Sequence, residues 1–486
     1  MSQLEHIVAT RTSFESDLVE RARDRLDSLP LDEAAAAGYV RDRGGYFLNI
    51  AYPSMQAMEA VQEADVFPDA DNAEGESKDE DRNVALYVHV PFCSAECYYC
   101  HYYKEFKKPE DKVDAFLDGV EAELETHEGN LDSINARSVY IGGGTPSYLT
   151  PPQIDRLFGI IKSRVSIEEA AEVSFEMHPE SSDEERLAVL KAHGVNRINI
   201  GVESFDDQLL ASENRRHTRE EALGALARAK SMRFSNVNID LIYGLKGQTV
   251  PIWEDTLDTI GDLSPSSATL YYLRLKRGTP EYKLFARHPE RFPTEDELLL
   301  MHAMTFEKLG GELGYTQNPV DWFIRDPKYF HTYQDHNWRR SDETELLGVG
   351  PSAYSYMNGW QYYNINDTNR YLESVTQGNI PVWRGEHLEG DERMRRTIML
   401  GIKMGMDRRS FLETYDADVV DAFPREWETL SELGLVEVHP DAVVLTYMGK
   451  LLADEVGKTF YTETMRKRME QVDPHMVSTT WPQINR

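Results

Sequence analysis

ALYVHVPFCSAECYYCHYY, Ala85–Tyr103, is the stretch on which the reading of this chain turns. It opens as an apolar β-type run and breaks at Pro91 into a loop that carries Cys93, Cys97 and Cys100, the only three cysteines among 486 residues. An odd and tightly spaced set cannot form a disulfide framework, and thiolates at this density ligate zinc or an iron-sulfur cluster. Structural zinc needs a fourth protein ligand. His89 or His101 would have to supply it, and His101 adjoins Cys100, a poor position from which to close the same tetrahedron. A four-iron cluster held by three thiolates instead leaves one iron open, and an open coordination site is where a metal centre does chemistry.

Outward from this loop, short β-rich runs alternate with longer amphipathic segments. The runs 84–90, 136–142, 171–177, 196–202, 236–244 and 268–275 read as strands, with helices expected near 110–126, 151–164, 183–193, 219–231 and 250–262. This alternation predicts βαβ units and a parallel sheet. The fold class is therefore α/β, a partial (β/α)6 barrel whose polar loops gather at the C-terminal ends of its strands.

The remaining chain divides by composition. Residues 1–63 read as a helical extension, with helices at Ser16–Leu29 and Phe47–Ala64, and 64–82 as an acidic linker. The barrel takes 83–289. Residues 290–389, with a long helix at Glu295–Leu309 and aromatic loops after it, are expected to close one side of the barrel. A winged-helix-like α+β domain fills 390–461, ending in a helix near Met448, and 462–486 is a tail. The formal net charge of −32 disfavours nucleic acid and anionic membrane surfaces, so the winged-helix pattern reads as a structural or capping element. No apolar run is long enough to span a bilayer and the first residues lack a secretory pattern, so a cytoplasmic location is expected.

Several further motifs fall at strand ends. GGGTP, Gly142–Pro146, removes every Cβ that would keep a ligand off the backbone. Glu176 ends the third run and Glu203 the fourth, while Asp240 lies in the most apolar run of the chain, where an unpaired carboxylate is costly. Arg215, or its neighbour Arg216, could pair with a carboxylate of ligand or protein.

Together YVHVPFCSAECYYC, YIGGGTPSYL, FEMHPE, VNRINIGVESFD, NIDLIYGLKGQT and LLGVGPSAYSY resemble the oxygen-independent coproporphyrinogen III oxidase family of radical S-adenosylmethionine (radical SAM) proteins, over about 84–460. The resemblance implies a radical SAM enzyme with a [4Fe-4S] cluster on Cys93, Cys97 and Cys100 and with S-adenosyl-L-methionine as cofactor. Tyr87, Gly143, Gly144, Glu176 and Arg215 match positions around that molecule, and Glu203 and Asp240 match positions that hold its ribose hydroxyls. Tyr99, Thr145 and Ile242 match positions near a second S-adenosylmethionine, which several members bind. An electron donor such as flavodoxin or ferredoxin and a small-molecule substrate are implied as partners.

Two departures from the family pattern bear on the reaction. Glu203 stands where glutamine is usual, and a carboxylate still accepts from two hydroxyls. Tyr102 stands where the oxidases tend to carry a further cysteine. The haem-chaperone branch lacks that cysteine too, but its His-Asn-x-x-Tyr-Trp motif has only His336-Asn337-Trp338 as a counterpart, without the spacing and read as a loop contact. The expectation is carbon-carbon bond formation, methylation or cyclopropanation of a planar unsaturated metabolite by a methyltransferase-type enzyme. The alternatives are porphyrin- or haem-directed oxidation or ring-opening by an oxidoreductase, and haem binding by a chaperone.

Overall fold

Val84, Ala85, Leu86 and Val88 are fully buried in the strand Arg82–Val90, as expected of a strand covered on both faces. The computed structural model describes residues 16–41, 52–68, 82–131, 133–340 and 344–472. That strand, β1, is followed in chain order by β2 (Ile134–Gly143), β3 (Ser166–Met177), β4 (Arg197–Glu203), β5 (Asn236–Tyr243) and β6 (Ser267–Tyr272), each pairing in parallel with the next. The longer helices between them are α1 (Glu110–Leu131), α2 (Pro151–Arg164), α3 (Glu184–Ala192), α4 (Arg219–Ser231) and α5 (Val250–Leu263), with a short helix, Asp207–Ser212, ahead of α4.

Local chemistry fixes where these helices begin. Thr150 donates its amide to Gln153 Oε1 at 3.0 Å ahead of Pro151 and Pro152, whose fixed φ suits a first turn. Thr218 and Glu221 bond reciprocally at 2.8 and 3.3 Å, a capping box that opens α4. Asp183 accepts from Arg186 N at the start of α3.

The segment after β6 does not close one side alone; it adds strands at both edges of the sheet. Trp322–Ile324 pairs antiparallel with β6, whereas Glu345–Val349 pairs in parallel with β1 and is extended by Tyr354–Met357, Trp360–Asn364 and Val382–His387. Between these two sets runs a helix, Thr332–Arg339, packed over β2. His336-Asn337-Trp338 belongs to this buried helix and not to a loop: His336 Nδ1 meets Ser138 Oγ at 2.9 Å and Asn337 Nδ2 donates to Tyr354 OH at 3.3 Å. Residues 295–312 form the expected long helix, α-helical over Glu295–Thr305 and more loosely wound over Phe306–Glu312.

The termini differ from expectation in two places. The first N-terminal helix is present as Asp17–Asp27, but the second is not. Residues 47–51 lie outside the described residues, and from Tyr52 onward Pro53 precedes a short 3-10 turn, Met55–Ala57, and a strand, Glu59–Ala60, that pairs with Arg384 and Gly385. Of the expected linker, 69–81 lie outside the described residues, while Val66 is buried and its carbonyl accepts from Asn358 Nδ2. The expected tail begins as a helix, Glu463–Val472, which buries Met465 and Met469 and holds Glu386 through both Nη atoms of Arg468 at 2.8 and 2.7 Å.

Helices over 391–432 are followed by Val436–Val438 and Ala442–Leu445, which pair antiparallel, and by helices Tyr447–Leu451 and Ala453–Lys458. Among the described residues no helix is long and apolar enough to cross a membrane.

Candidate functional site

The cysteine loop leaves β1 at Pro91 and is pinned at both ends. Phe92–Cys93 pairs with Glu105–Phe106, and Lys107 N donates to Cys93 O at 3.3 Å. Between them Cys100 N bonds Cys97 O at 3.1 Å, and Lys104 Nζ caps Cys100 O at 2.8 Å. The loop also leans on residues 213–215: Tyr98 N donates to Glu213 O, and Asn214 Nδ2 to Glu96 O at 2.7 Å. Burial pushes the Cys93 thiol up to about 11 and raises that of Cys100, so metal binding here must displace protons.

The donor set fits an iron-sulfur cluster better than zinc. His89 has both nitrogens engaged, Nδ1 at 2.9 Å from Tyr87 OH and Nε2 at 3.1 Å from Tyr103 O, and burial lowers its pKa to about 4. The His101 ring stacks on Tyr102 at 4.4 Å. Among the described residues no three His, Cys, Asp or Glu side chains are grouped to hold a single ion. A four-iron cluster supplies its own bridging sulfides and asks of the protein three thiolates on one wall, which Cys93, Cys97 and Cys100 provide.

The glycine run sits directly against that loop. Gly143 has φ +116°, and a Cβ there would lie 2.9 Å from the His89 ring. A Cβ on Gly144 would meet Phe92 O at 2.9 Å and Cys93 Sγ at 3.0 Å. Gly144 N donates to Val90 O and Thr145 N to Phe92 O, while Thr145 Oγ1 reaches Cys93 Sγ at 3.4 Å. The close approach of two strand ends, rather than a turn alone, is what excludes side chains here.

Three carboxylates occupy successive strands. Glu176 accepts from Tyr140 OH at 2.6 Å, and Asp240 from Asn238 Nδ2 at 2.8 Å. Glu203 has φ +64° at a break in the β4–β5 register and lies 3.5 Å from Arg215 Nη2. Burial pushes Glu176 and Glu203 up to about 7, with Asp240 adding repulsion to both, and burial also raises Asp240. Arg215 turns its other Nη toward Cys97 Sγ at 3.6 Å. It therefore links the cysteine loop to the carboxylates.

All the residues predicted from sequence, namely Tyr87, Cys93, Cys97, Tyr99, Cys100, Gly143, Gly144, Thr145, Glu176, Glu203, Arg215, Asp240 and Ile242, line one cavity of about 390 Å³. The aromatic segment 315–340, expected from sequence to contribute a pocket for a flat, unsaturated molecule, supplies part of the wall, while Tyr271 and the cationic residues were not named from sequence. Tyr271, Trp322, Tyr333 and Trp338 form an aromatic side, with Trp322 and Trp338 centroids 5.9 Å apart. Arg274, Lys276 and Lys403 add a cationic side. Asp454, from the C-terminal region, contacts Arg274 and lies 2.5 Å from Lys403 Nζ and 3.2 Å from Tyr272 OH. The signal for Arg274 and Lys276 was present as LRLKR across the end of the sixth strand run; that for Lys403 and Asp454 is visible only in three dimensions.

Strand order, cysteine loop and glycine cradle together define the radical SAM class. The sequence accordingly matches the model of the radical SAM superfamily over residues 87–260. It is 32% identical over 320 residues to the heme chaperone HemW of Lactococcus lactis, covering 66% of this chain and 81% of that protein. It is 28% identical over 406 residues to the oxygen-independent coproporphyrinogen III oxidase of Escherichia coli, covering 80% and 88%. The structure of coproporphyrinogen III oxidase (HemN) from Escherichia coli superposes with a TM-score of 0.68 at 28% identity, covering 82% of this chain and 96% of that one. The chain belongs to the oxygen-independent coproporphyrinogen III oxidase-like family of radical SAM proteins, with HemN and HemW among its relatives.

Proposed function

We propose that this chain is a radical SAM enzyme acting on a carboxylated tetrapyrrole by hydrogen abstraction, the oxidative reading that its relatives' names favour over carbon-carbon bond formation. The observation that carries it is the wall beyond the cysteine loop: aromatic faces for pyrrole rings, beside Lys276 and the Arg274–Asp454–Lys403 cluster, whose two cations outnumber its carboxylate, in a chain of net charge −32. In this reading the strands curl as a partial barrel that 16–41 and the winged-helix-like 390–461 cover.

The cluster would be held by Cys93, Cys97 and Cys100. S-adenosylmethionine would lie along Gly143 and Gly144, with Glu176, Glu203, Asp240 and Arg215 around it. When bound and reduced by one electron, this pair supplies a 5′-deoxyadenosyl radical able to take hydrogen from an unactivated carbon. The chain's own part is positional. Tyr140 holds Glu176 Oε1, Asn238 holds Asp240 Oδ1, and Arg215 sets Glu203, so three acceptors face the cavity in fixed directions. The apolar cluster of Leu245, Leu273, Leu275 and Phe292 behind Tyr99 and Ile242 keeps water from that side.

A second reading, transfer of a carbon from a second S-adenosylmethionine, draws on Tyr102 at the position of the oxidases' additional cysteine and on Tyr99, Thr145 and Ile242 meeting in the cavity. The discriminating experiment uses anaerobically reconstituted protein with dithionite, S-adenosylmethionine carrying a labelled methyl group, and coproporphyrinogen III. Substrate-dependent 5′-deoxyadenosine with unlabelled, decarboxylated product supports the proposal. Label in the product supports carbon transfer, and a stable haem Soret complex without 5′-deoxyadenosine release supports a chaperone; either overturns it.

A further inference from the structure

Residues 277–291 run against the charge of the rest of the chain. Arg277, Lys283, Arg287 and Arg291 are all exposed. Of the two carboxylates in the stretch, Glu281 is buried with its Oε2 3.6 Å from Lys246 Nζ, and Glu290 alone reaches the surface. The stretch ends where the acidic first turn of the helix at Glu295 begins.

This basic stretch is fastened to the cysteine loop. Glu281 N donates to Tyr98 O at 3.2 Å, and Lys246 Nζ stands 5.8 Å from the centre of the Tyr98 ring. Tyr282 and Phe285 pack into the same apolar cluster as Tyr99. Tyr98 directly follows Cys97 and is 37% exposed. The cysteine loop thus reaches the surface at Tyr98, beside Lys246 and two residues after the exposed Glu96, with the basic stretch joined to it through Glu281 N. On its other flank Lys104 holds Cys100 O, and Lys107 is exposed.

We propose that this face, Tyr98 with Arg277, Lys283, Arg287 and Arg291, docks a small acidic one-electron carrier protein of the flavin or iron-sulfur type. The inference rests on the radical reading above, because a cluster at Cys93, Cys97 and Cys100 needs an electron and this is where its loop meets solvent. One electron leaves the reduced carrier, which is oxidised by one, and enters the cluster, which is reduced by one; no bond or proton changes hands. Charge complementarity selects the partner: with a net charge of −32 on the whole chain, the exposed Arg277, Lys283, Arg287 and Arg291 give an acidic carrier a local attraction that the chain's overall charge opposes.

The test uses the full, cluster-reconstituted chain and a purified acidic flavodoxin, with ferredoxin as a second probe. In the Lys283→Glu/Arg287→Glu/Arg291→Glu variant, the Kd for oxidised flavodoxin measured by calorimetry should rise at least about tenfold. Wild-type affinity should weaken as salt rises, and the variant's should not. Dithionite-driven cleavage of S-adenosylmethionine should stay within about twofold of wild type, since a small reductant needs no docking face. Unchanged flavodoxin affinity in the variant overturns the proposal. So does a wild type that cleaves with dithionite but binds neither flavodoxin nor ferredoxin. A wild type inert to dithionite would instead defeat the radical reading, while the binding measurement still reports on the face.

Discussion

Arg215 stands between Cys97 and Glu203, 3.6 Å from the sulfur of one and 3.5 Å from the carboxylate of the other. Its planar fork addresses the two from separate nitrogens in fixed directions, a geometry that the single nitrogen of a lysine does not reproduce. Arg215→Gln should weaken S-adenosylmethionine binding at least about tenfold by equilibrium dialysis, within the range for a hydrogen bond to a charged group. Arg215→Lys should fail to restore it. Full rescue by lysine would show that charge alone matters at this position.

The raised carboxyls give a pH dependence of definite sign. Glu176 and Glu203 move from 4.5 to about 7, chiefly through burial. A carboxyl that is harder to ionise folded than unfolded stabilises the fold below about pH 4.5, and that stability is lost as pH rises through about 7. The melting temperature of the ligand-free protein should therefore fall between about pH 5 and 8. A cationic ligand favours the ionised forms, so S-adenosylmethionine affinity should rise over about pH 6 to 8, and Glu176→Gln should flatten that rise. An affinity independent of pH would remove both carboxylates from the binding step.

Cys97→Ala should remove the cluster absorbance of reconstituted protein together with all 5′-deoxyadenosine release, while leaving the far-ultraviolet circular dichroism intact. Persistent turnover would refute the assignment of the three thiols.

Arg274 bears on the substrate. Arg274→Gln should raise KM for a tetracarboxylated porphyrinogen at least about tenfold with little change in kcat, because the contact exists before and during reaction. Dithionite-driven cleavage of S-adenosylmethionine without substrate should stay unchanged. A fall in kcat alone would move Arg274 from substrate binding to the chemical step.

Stability should depend sharply on Glu123, a fully buried carboxylate of α1. It accepts from Gly350 N at 2.8 Å, Tyr371 OH at 2.7 Å and Asn364 Nδ2 at 2.7 Å. Glu123→Ala leaves several buried donors unsatisfied and should cost about 3 kcal/mol or more in urea unfolding. The Gly350 loop backs His89, since a Cβ on Gly350 would lie 2.6 Å from His89 O, so the variant should also lose S-adenosylmethionine affinity.

The parallel strand-and-helix segment was legible because its signals are local. Pro151–Arg164 and Arg219–Ser231 match the predicted helices residue for residue, each opened by a Thr with a glutamine or glutamate three positions on. The residues that carry the site fall at strand ends, where glycine runs and isolated carboxylates interrupt apolar patterning. Elsewhere local pattern misled. The apolar spacing around 47–64 suggested a helix, but Pro53 breaks it and the stretch gains more by adding a strand to the sheet edge at Arg384 and Gly385. His336 to Trp338 looked like loop because its neighbours are aromatic and charged, yet that helix is stabilised by packing on β2, which no neighbouring residue in sequence reveals. Asp454 was invisible as a site residue for the same reason.

Asp454 is contributed by a helix far along the chain, yet it restrains Arg274 and Lys403 in the chamber wall. The parallel strand-and-helix segment is therefore not a self-sufficient cassette. Grafting it onto a foreign C-terminal half would leave Arg274 without its counter-ion and let it swing or seek other anions. Selectivity in this protein is thus inherited jointly by its two halves, and they must diverge together.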